Sequence, residues 1–168
     1  EALIEREIER GVPAERIVLM GFSQGCAMSL LTGLRYGRRL AGLVGLSGYL
    51  PLLATTEAER SAANQATSVF LAHGRQDQVV PLARAQAARA GLFGVAEQQV
   101  GRAVRGDHLD FMRDAEALEA LRGVLHRLPV GTGAHHHADP DLHASFSGKT
   151  LFYAPFPPTA PTPMDRKM

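Results

Sequence analysis

A chain of 168 residues, 45% of them hydrophobic, is long enough to bury one sizeable core and too short for several domains. Eighteen Lys and Arg against 17 Asp and Glu leave a formal net charge of +1, which excludes a strong electrostatic pull toward nucleic acid or anionic lipid. The single cysteine, Cys26, excludes an internal disulfide and fits a reducing compartment, so a cytoplasmic location is expected. No apolar run is long enough to cross a bilayer as a helix, and no charged-apolar-small leader opens the sequence. Glu1 falls inside a helix-like pattern, so the chain reads as trimmed.

Leu3, Ile4, Ile8 and Val12 recur at helical spacing against Glu5, Arg6, Glu9 and Arg10, which predicts an amphipathic helix over 2–10 stopped by Gly11. Arg16 to Met20 reads as a strand. Residues 24–36 follow as a helix in which Met28, Leu30, Leu31 and Leu34 are apolar. Leu40 to Ser47 is a second short apolar run bounded by glycines, and Gly48 to Pro51 is its loop. The alanine-rich stretch 52–66 reads as a loop with a helical turn. Ser68 to Ala72 is a third strand, and Pro81 opens a helix over 82–92. A weaker strand lies near 96–104. Asp110 then caps a helix through Leu128, with Phe111, Leu118, Leu121 and Leu125 on its inner face. Strands alternating with helices predict an α/β fold, a mostly parallel sheet with helices on both faces. The near-continuous apolar runs 17–20 and 43–46 agree, since such strands are buried on both sides.

The stretch 129–168 differs in kind. It holds seven of the ten prolines and four of the seven histidines, with no sustained period. It reads as a disordered tail appended to a hydrolase-type domain over 1–128. Within it, His135-His136-His137 is a solvated histidine run, because a dedicated metal site needs further ligands at fixed spacing.

The rest of the chain serves Ile17 to Met28. An apolar run suited to a buried strand ends at Gly21, passes through Ser23 and leaves through Gly25 into a helical pattern. Gly-x-Ser-x-Gly in that strand-to-helix context is the turn on which a nucleophilic serine is exposed. The serine occupies a strained conformation at the tip. Side chains at 21 and 25 would collide with the crossing strand and helix, so both positions are glycine. The plainer alternative is a glycine-rich turn in which Ser23 merely caps the helix.

A serine hydroxyl needs a histidine to take its proton and a carboxylate to hold that histidine in the right tautomer. In the chain order serine, acid, histidine, with each at a strand end, the sequence offers Ser23, Asp77 and His108. Glu57 and Glu59 follow no strand directly, and Asp107 would leave the third strand without an acid. His126 lies inside a helix. His73 sits at a strand end but precedes Asp77 by four residues and breaks the order. It reads as a partly buried loop histidine.

The block from Arg10 to Gly25, with Arg16-Ile17-Val18-Leu19-Met20-Gly21-Phe22-Ser23-Gln24-Gly25 at its end, closely resembles the phospholipase/carboxylesterase family, which includes the acyl-protein thioesterases. Leu46-Ser47-Gly48-Tyr49-Leu50-Pro51 resembles its next loop, and His73-Gly74-x-x-Asp77-x-Val79-Val80-Pro81 its acid loop. The resemblance implies a partial α/β-hydrolase fold and a serine esterase that needs no metal and no cofactor. Ser23 would be the nucleophile, Asp77 the acid, and the Gln24 backbone N–H one donor to the oxyanion. Leu50 and Val80 would help line an apolar acyl pocket. The family's histidine usually follows a glycine directly, whereas here Gly106 and His108 are separated by Asp107. Cys26 stands where glycine is common and should be a small buried thiol with no part in catalysis. The family's first strands, with the His-Gly-rich turn that supplies a second oxyanion donor, are absent, and the elbow strand is left with an open apolar edge.

The expected activity is hydrolysis of carboxylic esters or thioesters through an acyl-Ser23 intermediate, on a small-molecule ester or acyl-thioester substrate. The alternative is a catalytically dead fragment that acts at most as an association module through its exposed sheet edge; a homodimer is a separate expectation.

Overall fold

The computed structural model describes residues 1–93, 101–104, 142–147 and 150–155. The first helix, α1, spans Ala2–Glu9 and buries Ile4 completely. It stops where the sequence says it should. Gly11 takes φ 94°, its N–H donates to Ile8 O at 2.9 Å, and Val12 N–H donates to Glu7 O at 3.0 Å. These paired bonds close the last helical turn, and only glycine adopts that φ without cost. A 3-10 turn over Ala14–Arg16 follows, so the first strand begins later than expected. β1 spans Val18–Phe22, because Arg16 and Ile17 amides are bonded back to Pro13 and Ala14 carbonyls.

β2 (Gly42–Leu46), β3 (Ser68–Gly74) and β4 (Gly101–Val104) extend β1 as parallel neighbours in the order β4-β3-β2-β1. The register aligns Leu19 with Leu43 and Val69, and Gly21 with Gly45 and Leu71. Helix α2 (Gln24–Arg35) packs on this face. Its buried side is Cys26, Ala27, Leu30, Gly33 and Leu34, while Met28 is 49% exposed. Three- and four-residue steps from Cys26 run through Leu30 and Leu34, and Met28 falls off that stripe. Leu30, Leu34, Leu43 and Val69 join Ile4, Ile17 and Leu92 of α4 (Leu82–Phe93) in one apolar cluster. Each fully buried leucine or isoleucine contributes roughly 1.5–3 kcal/mol. The opposite face of the sheet is equally dry, with Val18, Val44 and Phe70 all fully buried, as expected of strands covered on both sides.

The stretch 52–66 is more regular than its composition suggests. Helix α3 covers Leu53–Glu59 and a 3-10 turn Ala62–Asn64. Asn64 is fully buried and uses its amide on both sides. Its Nδ2 donates to Tyr36 O at 2.8 Å and Arg38 O at 2.9 Å, and its Oδ1 accepts from Leu40 N–H at 3.0 Å and Thr67 Oγ1 at 2.7 Å. This knot ties together the segments that feed β2 and β3.

Two stretches of the segment read as a tail are strands. β5 (Leu142–Ser147) and β6 (Thr150–Pro155) form an antiparallel pair, and β6 lies antiparallel on β1 with Val18 opposite Tyr153 and Met20 opposite Leu151. The edge of β1 expected to be open is therefore occupied by the chain itself. Over these twelve residues the expectation of an unstructured tail gives way, because an exposed ladder of N–H and C=O groups takes any strand-forming run within reach. The sheet remains mostly parallel, with an antiparallel pair at one margin. The expected helix over 110–128, residues 96–100 of the expected fourth strand and the rest of 129–168 lie outside the described residues.

Candidate active site

Ser23 stands between β1 and α2 with φ 54° and ψ −117°, a conformation that L-residues avoid at a cost of about 1–3 kcal/mol. The surroundings enforce it. Ser23 N–H donates to Leu46 O at 2.8 Å, and Ser23 O accepts from Ala27 N–H at 3.3 Å. A Cβ on Gly21 would overlap the carbonyl of Gly25, which shows why the position admits only glycine. Ser23 occupies the N-cap position of α2 but its side chain makes no capping hydrogen bond, which removes the plainer reading of this serine. Gln24 is the first residue of α2, where a backbone N–H has no partner within the helix.

Cys26 lies beneath the turn, 1% exposed. Burial pushes its thiol up to about 12, partly opposed by hydrogen bonding to the backbone of Leu46 and Tyr49. It is protonated at neutral pH and unsuited to nucleophilic work.

The loop after β3 builds around Asp77, which is 6% exposed. Its Oδ1 accepts from Val79 N–H at 2.9 Å and Val80 N–H at 2.8 Å, an Asx-type turn that fixes the carboxylate at the carboxyl end of the strand. The other carboxylate oxygen, Oδ2, lies 3.5 Å from His73 Nε2. His73 is not the loop histidine expected from sequence: it belongs to β3 and is 4% exposed. Its Nε2 also lies 2.8 Å from Val80 O. The competing carboxylates sit elsewhere. Glu57 and Glu59 belong to α3, and Glu59 accepts from Arg35 Nε at 2.7 Å, which together with Thr55 holds its carboxyl below the usual range. Asp107, His108 and His126 lie outside the described residues.

Leu50 and Val80, expected to line an acyl pocket, are 6% and 7% exposed, and Leu50 belongs to the main core cluster. The apolar surface on the same two loops is Leu52, 62% exposed, and Val79, 69% exposed. A cavity of about 130 Å³ opens between α2, α4 and the sheet, lined by Cys26, Leu30, Tyr49, His73 and Gln86 among others, but not by Leu50 or Val80. Tyr49 closes one side of it with the Arg84 guanidinium 3.8 Å above its ring, a cation–π contact that no spacing in the sequence signals.

Residues 1–116 match the family model described as Phospholipase/Carboxylesterase. An acyl-protein thioesterase 1 of Yarrowia lipolytica is 52% identical over 80 residues, a match that covers 48% of this chain and 35% of that protein. Among solved structures, Arabidopsis thaliana SOBER1 superposes with a TM-score of 0.67 at 27% identity, over 75% of this chain and 59% of that one. A Dyadobacter fermentans phospholipase/carboxylesterase does so with a TM-score of 0.59 at 25% identity, over 75% and 60%. The chain thus spans about a third of the length of the curated relatives it matches.

Proposed function

The chain belongs to the phospholipase/carboxylesterase family, and on that premise we propose that it is a serine carboxylesterase acting on carboxylic esters or thioesters through an acyl-serine intermediate. The observation that carries the reading is the backbone of Ser23, held at φ 54° and ψ −117° with its hydroxyl released from capping. Such strain persists only where the surroundings over-determine it, and it aims the hydroxyl away from the helix it precedes.

In the proposed reaction Ser23 Oγ attacks the ester carbonyl carbon while His108 takes its proton. Asp77 steadies the imidazolium so formed, and the Gln24 N–H donates to the oxyanion. Collapse of the tetrahedral intermediate releases the alcohol or thiol, which leaves with the proton from His108. Water then attacks the acyl-serine by the reverse route. No metal or cofactor enters these steps. Leu50 and Val80 form the packed base of the two loops on which Leu52 and Val79 present apolar surface to an acyl chain. The lone buried thiol of Cys26 is in keeping with a cytoplasmic setting, and among the described residues no helix is long and apolar enough to cross a membrane.

Hydrolysis of p-nitrophenyl butyrate by the chain and by Ser23→Ala tests the proposal. The substitution is expected to lower kcat by about 10⁴-fold or more and to abolish labelling by a fluorophosphonate. Equal rates defeat the nucleophile assignment. A wild-type chain that neither turns over nor labels is the dead fragment instead.

A further inference from the structure

We infer that His73 is a positioning residue for Asp77: a neutral imidazole whose Nε2–H pins the Val80 carbonyl and so sets the backbone that grips the carboxylate. The inference rests on the reading of Asp77 as the catalytic acid.

The argument begins with the proton. A carbonyl oxygen only accepts, so the 2.8 Å contact between His73 Nε2 and Val80 O requires the hydrogen on Nε2. Nδ1 is buried and has no hydrogen-bond partner among the described residues. As a bare lone pair it loses one weak bond. As an N–H it would be a stranded donor, and in an imidazolium a stranded share of charge, at a cost of about 1–3 kcal/mol or more. The ring therefore keeps its Nε2–H neutral form, and this form cannot serve as the general base, because its only basic nitrogen is sealed in the protein.

What the ring does instead follows from the covalent chain. Val80 offers its carbonyl to His73 and its amide N–H to Asp77 Oδ1, at 2.8 Å in each case. Two rigid planar groups, an imidazole rooted in β3 and the peptide units of Val80, thus link the sheet to the carboxylate. The same Nε2–H edge points its partial positive charge at Asp77 Oδ2 from 3.5 Å, too long for a bond but favourable to an ionised carboxylate. The Asx turn alone would hold the carboxylate relative to its own loop. His73 holds the loop relative to the strand.

The test compares His73→Phe, which fills the space without a donor, with His73→Gln, whose side-chain amide can place an N–H near the position of Nε2. In the full chain, His73→Phe is expected to lower kcat for p-nitrophenyl butyrate about 10- to 100-fold with KM essentially unchanged, the effect of misplacing a reacting group by a fraction of an ångström. His73→Gln recovers most of that loss. Equal losses in the two variants, or a loss confined to KM, overturn the inference. Long-range ¹H–¹⁵N NMR of the ring supplies a readout that needs no turnover. A neutral ring protonated at Nε2, with a downfield Val80 amide that moves upfield in His73→Phe and stays in His73→Gln, upholds the positioning role. A proton on Nδ1, or a Val80 amide unmoved in His73→Phe, refutes it. Should His73→Phe not fold, the wild-type ring spectrum and the His73→Gln amide decide. If Ser23→Ala hydrolyses as fast as the wild type, the esterase mechanism has failed, and the ring and amide spectra still report on His73 separately.

Discussion

Two buried polar knots sit at opposite ends of the same parallel strands, and they are finished differently. At the amino ends of β2 and β3, Asn64 satisfies both donors and its acceptor on Tyr36, Arg38, Leu40 and Thr67. At the carboxyl end of β3, Asp77 is gripped by two amides while its neighbour His73 leaves a ring nitrogen without a partner among the described residues. A knot with every valence filled is a fastening. The second knot, with a ring nitrogen to spare, lies at the carboxyl ends of the strands, where open α/β sheets place their ligands.

The largest effect should separate the two knots outright. Asp77→Asn keeps the shape and an acceptor for the Val79 and Val80 amides but cannot steady an imidazolium. We expect kcat to fall by about 10⁴-fold with little change in Tm, measured on p-nitrophenyl butyrate and by calorimetry. Comparable loss of Tm would make Asp77 a second fastening. Next, Asn64→Ala leaves several buried groups unpaired and is expected to cost about 3 kcal/mol in urea unfolding while the folded fraction keeps its kcat. A matching drop in kcat would join the knots. The smallest effect sharpens the contrast with a buried group that belongs to neither. The Cys26 thiol, ordinarily near 9.0, is raised to about 12, so as pH rises through this window the unfolded chain loses a proton that the folded chain keeps. Its contribution is complete below about pH 9 and fades above it, roughly 1 kcal/mol by about pH 10. Cys26→Ala should remove that part of the alkaline decline and leave kcat unchanged.

The sequence makes the second half of this contrast legible and hides the first. Ser23 and Asp77 are announced by glycines at 21 and 25 and by apolar runs that end at each, because a buried parallel strand and a tight turn both restrict composition. Asn64 carries no such mark. One asparagine in an alanine-rich stretch looks like any loop residue until the segments around Leu40 and Thr67 converge on it. His73 was visible as a residue but not as a role, since its hydrogen bond runs to a carbonyl, and carbonyls have no letter in the sequence. The pairing of β6 with β1 escaped for a related reason. Leu151-Phe152-Tyr153 is a short apolar run among prolines, and its partner, residues 18–20, is far from it in sequence. Leu50 and Val80 were legible as apolar but not as core, because adjacent loop residues share the same chemistry and differ only in which way they face.

That distant pairing also fixes an order of events during synthesis. β1, β2 and β3 and the helices between them can dock while the chain is still growing. The outer ladder of β1, however, must wait for residues 150–155, which leave the ribosome long after β1 itself. Through that interval this flank of β1 has no partner among the described residues, and its fate rests on whether a chaperone or a neighbouring chain reaches it first.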